Sequence, residues 1–171
     1  ITTCGYATTD FDLWPETSKM ILMLLMFIGA CAGSTGGGFK ISRLLILCKA
    51  IPKQLSLVIH PREVKVIRMD GKPIDHNTLR STNVYLAIYF FILLVSTLLI
   101  SVDNFNLTTN FTAVASALNN IGPGLDGVGP TRNFGLYSDF SKFVLMFDML
   151  AGRLELYPLL ILFMPSLWRR K

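Results

Sequence analysis

Phe-Thr-Ala-Val-Ala-Ser-Ala-Leu-Asn-Asn-Ile-Gly-Pro-Gly, residues 111–124, decides how this chain folds. Its first eight residues are small or apolar and predict about two turns of helix, with Thr108, Thr109 and Asn110 as N-cap candidates. Eight residues rise only about 12 Å, so such a helix enters a membrane without crossing it. Asn119-Asn120-Ile121-Gly122-Pro123-Gly124 cannot continue the helix, and the chain has to turn back. A re-entrant loop meets both demands, and its backbone is tolerated only where protein or water covers it. The helix then aims its C-terminal carbonyls and the negative end of its dipole into a wet cavity, which favours a cation. Gly122 takes positive φ at no steric cost and lets neighbouring carbonyls face one way. Rings of such carbonyls replace an ion's hydration shell.

Outward from this stretch, the 171 residues are 51% hydrophobic and 16% charged, with a mean hydropathy of +0.50, and gather their apolar residues in segments. Residues 84–102 hold nineteen positions without a charge, enough to cross a hydrocarbon core of roughly 30 Å. Residues 143–165 are apolar apart from Asp148, Arg153 and Glu155, and residues 20–51 are apolar at both ends.

The net charge of +5 follows topology and not nucleic acid. Lys40, Arg43, Lys49, Lys53, Arg62, Lys65, Arg68, Lys72 and Arg80 oppose only Glu63, Asp70 and Asp75, and Arg169, Arg170 and Lys171 close the chain. Residues 103–140 offer Arg132 against Asp103, Asp126 and Asp139. The positive-inside rule places residues from about 40 to 83 and the C-terminus in the cytoplasm, and 103–140 outside. Crossings before Lys49, near 84–102 and near 143–165 satisfy this alternation. Ile1 in place of a Met, with no basic-then-apolar leader, reads as the C-terminal piece of a longer chain. Cys4, Cys31 and Cys48 lack zinc-like spacing and read as buried thiols.

Residues 28–40, Ile-Gly-Ala-Cys-Ala-Gly-Ser-Thr-Gly-Gly-Gly-Phe-Lys, place five glycines inside one of the apolar segments. A glycine costs roughly 1 kcal/mol in a helix interior, so this run unwinds the helix. Unwound backbone at membrane depth faces a cavity or protein. A phosphate loop is excluded because Phe39 intervenes before Lys40, and no dinucleotide fingerprint has its register here. Residues 52–83 form a polar connector with turn signals at His60-Pro61-Arg62 and Asp70-Gly71-Lys72-Pro73, a cytoplasmic hairpin whose basic face suits anionic lipid headgroups or a partner subunit. His60 and His76 have no ligand spacing and read as solvated. Asn106-Leu107-Thr108 and Asn110-Phe111-Thr112 match the glycosylation pattern, but a helix N-terminus needs the same residue types.

The chain also repeats itself. Thr2-Thr3-Cys4-Gly5-Tyr6 precedes a polar stretch and Ser18-Lys19; Asn119-Asn120-Ile121-Gly122-Pro123 precedes a polar stretch and Ser141-Lys142; Met26-Phe27 corresponds to Met146-Phe147. The repeat unit is an outer helix, a re-entrant filter and an inner helix, present one and a half times. Two filter segments do not encircle an ion, so others are expected upstream or in another chain.

With Cys31-Ala32-Gly33-Ser34-Thr35-Gly36-Gly37-Gly38-Phe39-Lys40 and Ala151-Gly152-Arg153-Leu154-Glu155 added in order, the chain resembles the Trk/Ktr/HKT potassium transporters, in particular the bacterial TrkH-type membrane subunits. The resemblance implies an all-α integral membrane fold of membrane–pore–membrane repeats with re-entrant pore loops. In that frame residues 1–53 are the third-repeat filter and broken inner helix, 54–83 the cytoplasmic connector, and 84–171 the whole fourth repeat. It implies a filter backbone at Thr2, Thr3, Cys4, Gly5, Asn119, Asn120, Ile121 and Gly122. It places an intramembrane gate at Gly33, Ser34, Thr35, Gly36, Gly37 and Gly38, restrained by Arg153. Potassium is then the transported ion, with no covalent cofactor and no enzymatic turnover. The implied partners are membrane lipid, a second copy of the chain and a cytoplasmic nucleotide-binding ring of the TrkA type, in a bacterial inner membrane.

For Arg153 the alternative is a structural ion pair with Asp148 or Glu155, at spacings of five and two residues that do not suit a helix. A secondary transporter of another fold, holding substrate or sodium at the broken helix, explains residues 33–38 but not 111–124. A membrane enzyme would need a nucleophile or metal set that these residues do not supply.

Overall fold

The computed structural model describes residues 3–29, 31, 33–34, 37–60, 67–69 and 72–154. Thr2, Thr35, Gly36, Arg62, Glu63, Lys65, Asp70, Glu155, the second half of the 143–165 segment and the basic tail 169–171 lie outside them. In chain order the elements are α1 Glu16–Phe27, α2 Ile41–Ile59, β1 Arg68–Met69, β2 Lys72–Pro73, α3 His76–Ile100, α4 Leu107–Asn119 and α5 Asp139–Arg153. The two strands form an antiparallel ribbon, Arg68 opposite Pro73 and Met69 opposite Lys72, so the all-helical expectation holds apart from this connector hairpin. Helix α2 runs to Ile59 and α3 starts at His76, which makes both ends of the 54–83 connector helical.

Helix α3 falls almost wholly within the stretch Asn77–Asp103, whose most apolar 18-residue window has a mean hydropathy of 2.4; among the described residues it alone is long and apolar enough to cross a membrane. Thr82, Tyr85, Tyr89, Leu93, Ser96 and Ile100 recur every three or four residues and are buried against the other helices. The opposite side exposes Phe91, Leu94 and Leu98 at 66%, 65% and 75%. A helix apolar on its outer face as well as its packed face suits lipid as the outer solvent.

Helix α1 ends at Phe27 and helix resumes only at Ile41, so the glycine run interrupts the segment as its composition demands. The two ends of the interruption are pinned together. Ile28 and Phe39 form a parallel bridge, and the Gly29 N–H donates to the Phe39 carbonyl at 2.9 Å. Lys40 is buried, and its Nζ donates to the Ser34 carbonyl at 2.6 Å.

Helix α4 has 13 residues and starts four residues before the expected 111, with Asn106 at its N-cap. Thr108, Thr109 and Asn110 are therefore inside the helix. Thr109 and Asn110 stay there because neighbours satisfy their side chains. Thr109 Oγ1 donates to Asp126 Oδ2 at 2.8 Å, and Asn110 Oδ1 accepts from the Tyr137 hydroxyl at 2.9 Å. That bond buries Asn110, which removes it as a glycosylation acceptor. At roughly 20 Å the helix is still too short to cross a membrane. It is the centre of the fold, buried along its length and packed by α1, α3 and α5.

Both α1 and α5 open with an acid three residues before a lysine: Lys19 reaches Glu16 at 2.9 Å and Lys142 reaches Asp139 at 3.5 Å. The cysteine expectation is corrected, because Cys4, Cys31 and Cys48 are all exposed. Their apolar neighbours do not close over them as a core: Cys48 lies between the exposed Leu45 and Ile51 of α2.

Candidate cation pathway

The end of α4 shapes the next four residues. Asn120 adopts a left-handed conformation (φ 53°), its N–H returns to Ala117 O and the Ile121 N–H returns to Ser116 O, both at 3.0 Å. This Schellman-type cap uses two of the terminal carbonyls and reverses the chain. Ser116 then secures Gly122 on both sides, donating from Oγ to its carbonyl at 2.7 Å and accepting its N–H at 3.1 Å.

The N-terminal segment follows the same path. Thr3 and Gly5 have φ of 54° and 75°, and Asn120 and Gly122, at the same offset, have 53° and 113°. Positive φ at a threonine and an asparagine is uncommon and costs of order 1 kcal/mol or more, so its recurrence at matched positions marks a shared local design. The two segments lie side by side: a Cβ on Gly5 would overlap the Ile121 carbonyl oxygen, and one on Gly122 would sit 3.4 Å from the Gly5 α-carbon. They border one cavity of about 630 Å³, lined by Thr3, Cys4, Ser116, Asn120, Ile121 and Gly122 on one side and by Lys142, Leu145, Met146 and Met149 of α5 on another.

The described part of the glycine loop leans on this construction. A Cβ at Gly37 would overlap the Asn119 carbonyl, and one at Gly38 would come 2.6 Å from Asn119 Oδ1. Asn119 is wholly buried; its Nδ2 donates to Ala115 O at 2.7 Å and its Oδ1 accepts from the Tyr89 hydroxyl at 2.8 Å. Thr35 and Gly36, expected in the same loop, are outside the described residues, while Gly33 (φ 82°) and Ser34 form its far side.

Helix α5 crosses the end of α4 at Gly152, where a Cβ would overlap the Leu118 carbonyl oxygen. Asn120 Nδ2 fixes the crossing by donating to Met149 O at 3.1 Å. Arg153 follows directly, exposed, in the last turn of α5. Asp148 turns to α3, where Ser96 Oγ donates to its Oδ1 at 2.7 Å. Its Oδ2 is buried without a hydrogen-bond partner among the described residues.

A polar network ties together the stretches that follow the two segments. Asp12 Oδ1 accepts the Asp126 N–H at 3.0 Å, joining the stretch after the first segment to the stretch after the second. Asp126 is itself left-handed (φ 57°). The Thr109 hydroxyl, and after it the Asn106 amide, hold its carboxyl below the usual carboxylate range. Bonds from Ser138, led by its backbone N–H, do the same for Asp103. Burial pushes the Tyr137 phenol up to about 12, keeping it protonated to donate to Asn110.

Thr3, Cys4, Gly5, Asn119, Asn120, Ile121, Gly122, Gly37 and Gly38 therefore meet around the C-terminal end of α4. Tyr89 and Asp12 belong to no motif of the sequence. The available signal was a tyrosine within an otherwise uncharged apolar helix, a polar tip that needs a partner when buried.

A family model described as TrkH, cation transport protein, matches residues 1–170. The chain is 39% identical over 168 residues to the Trk system potassium uptake protein TrkH of Vibrio parahaemolyticus, covering 98% of this chain and 34% of that protein. It is 36% identical over 168 residues to the protein of the same name from Escherichia coli K12, again covering 98% and 34%. The chain thus spans about a third of the length of these curated relatives. The crystal structure of the potassium transporter TrkH from Vibrio parahaemolyticus is similar to it with a TM-score of 0.87 at 39% identity, over 98% of this chain and 36% of that one.

Proposed function

The chain belongs to the TrkH family of cation transport proteins, and on that premise we propose that it forms part of a potassium-conducting subunit of a bacterial inner membrane. Residues 1–53 act as the filter and broken inner helix of a third repeat, 54–83 as the cytoplasmic connector, and 84–171 as a fourth repeat whose α4 is the re-entrant pore helix. The backbone of Thr2–Gly5 and of residues 119–122 supplies carbonyl ligands to potassium, which is cargo and not a resident cofactor. Residues 33–38 act as the gate below the filter, and Arg153 restrains cation passage there. A second copy of the chain and a cytoplasmic nucleotide-binding ring of the TrkA type complete the assembly.

The observation that carries this reading is the matched backbone of Thr3 to Gly5 and Asn120 to Gly122, juxtaposed at the end of a short buried helix. That helix end places the negative pole of a macrodipole, equivalent to about half an elementary charge, beside both segments. Carbonyls so arranged exchange favourably with a hydration shell.

The test is rubidium uptake into liposomes holding the full-length parent protein, with sodium as competitor. Wild type is expected to take up rubidium in preference to sodium. Gly122→Ser should lose much of that preference, and Arg153→Ala should raise uptake by about two- to tenfold, equivalent to roughly 0.4–1.4 kcal/mol of barrier. Absence of any cation flux under a gradient would remove the conducting reading.

A further inference from the structure

We propose that Tyr89 is a positioning residue that joins the broken inner helix to the 119–122 segment, so that the glycine loop and the backbone facing the ion move as one unit. The inference rests on the reading of residues 33–38 as a gate and of 119–122 as part of a filter. Tyr89 is buried and reaches both. Its hydroxyl donates to Asn119 Oδ1 at 2.8 Å, while Asn119 Nδ2 is committed to Ala115 O, so the orientation of the Asn119 amide is set from two sides. The same Oδ1 is what a side chain on Gly38 would strike, and the Asn119 carbonyl lies against Gly37.

The ring of Tyr89 grips the loop at its ends. Phe27, the last residue of α1, meets it edge-on with centroids 6.5 Å apart, and Phe39, at the loop's other end, meets it at 6.4 Å. Ile28 and Phe39 bridge to each other, so these two aromatic contacts fall on one closed structure. A displacement of the loop must slide Phe27 and Phe39 over the Tyr89 ring or carry the ring with them. In the second case the hydroxyl pulls on Asn119, which directly precedes Asn120-Ile121-Gly122. The connection is an unbroken chain of packed groups, the physical form that coupling between two sites requires.

Tyr89→Phe removes the hydroxyl and keeps the ring. In the full-length protein in liposomes it is expected to lower the preference for rubidium over sodium by about three- to tenfold, the effect of one hydrogen bond. Tyr85→Phe, which takes a hydroxyl from the same aromatic stack, should leave the preference within about twofold of wild type. Combined with Gly38→Ala, Tyr89→Phe should be non-additive in that preference, because both act through Asn119 Oδ1. An unchanged preference in Tyr89→Phe, or an equal loss in Tyr85→Phe, overturns the positioning role. If Gly5→Ser and Gly122→Ser also keep the wild-type preference, the filter assignment itself has failed, so the two failures are separable.

Discussion

The carbonyl oxygen of Ile121 occupies the space that a Cβ on Gly5 would need, although 116 positions separate the two residues along the chain. Two short backbone segments, each containing a left-handed non-glycine residue followed two positions later by a left-handed glycine, are thus packed backbone to backbone. Backbone atoms make the closest approach, with the Pro123 ring beside them, and carbonyl groups are the polar chemistry the contact presents.

This contact ranks the glycines. Gly5→Ser meets both an unfavourable φ, costing about 1–2 kcal/mol, and the Ile121 oxygen, whereas Gly122→Ser meets chiefly the φ penalty. In uptake measured on the full-length protein, Gly5→Ser should reduce potassium preference more than Gly122→Ser. The reverse order would show that the contact is relieved without cost.

Gly152 tests the crossing of α5 over α4. Gly152→Ala drives a methyl into the Leu118 carbonyl and to within 2.8 Å of Asn120 Nδ2. Overpacking of this kind costs about 1–3 kcal/mol, and the melting temperature in detergent should fall accordingly. A melting temperature equal to wild type would mean that the helices part freely at this point.

The buried pair Ser96–Asp148 should behave asymmetrically. Ser96→Ala strips the carboxyl of its 2.7 Å donor and is expected to destabilise by about 1–3 kcal/mol. The double variant Ser96→Ala/Asp148→Leu removes both polar partners and should recover most of that loss. Thermal unfolding of the three proteins decides; a double variant less stable than Ser96→Ala contradicts the argument.

Asp126 links the loop after α4 to pH. Its carboxyl is held below the ordinary value of 3.8 in the folded protein, so the unfolded chain binds the proton more readily. The stability this contributes is complete above about pH 5, and is lost as pH falls through the folded value. Asp126→Asn should therefore melt lower than wild type at pH 6, with the gap narrowing below about pH 4. A gap independent of pH between 3 and 6 would assign the effect to packing.

Much of the candidate site was legible because it depends on local chemistry. Gly33 to Gly38 cannot sustain a helix, the small residues of 111–118 form one, and the Asn-Asn-Ile-Gly-Pro-Gly run ends it whatever surrounds them. The start of α4 was misplaced because Thr109 and Asn110 resemble caps until Asp126 and Tyr137 satisfy them within the helix. Likewise the charge of Lys40 gives no sign of its partner, the Ser34 carbonyl six residues back in the glycine loop.

The amino-acid order by itself determined the broken helix, the short helix with its reversing turn, the uneven spread of charge along the chain and the two like segments, all set by backbone preference and solvent. Only the tertiary structure decided that Gly5 lies on Ile121, that Gly37 lies on Asn119, and that the Tyr89 hydroxyl and ring join that asparagine to the loop. Those contacts link residues 82 or more positions apart in the first two cases and 30 in the hydroxyl bond. Their existence depends on three helices packing around α4, and no local pattern encodes that packing.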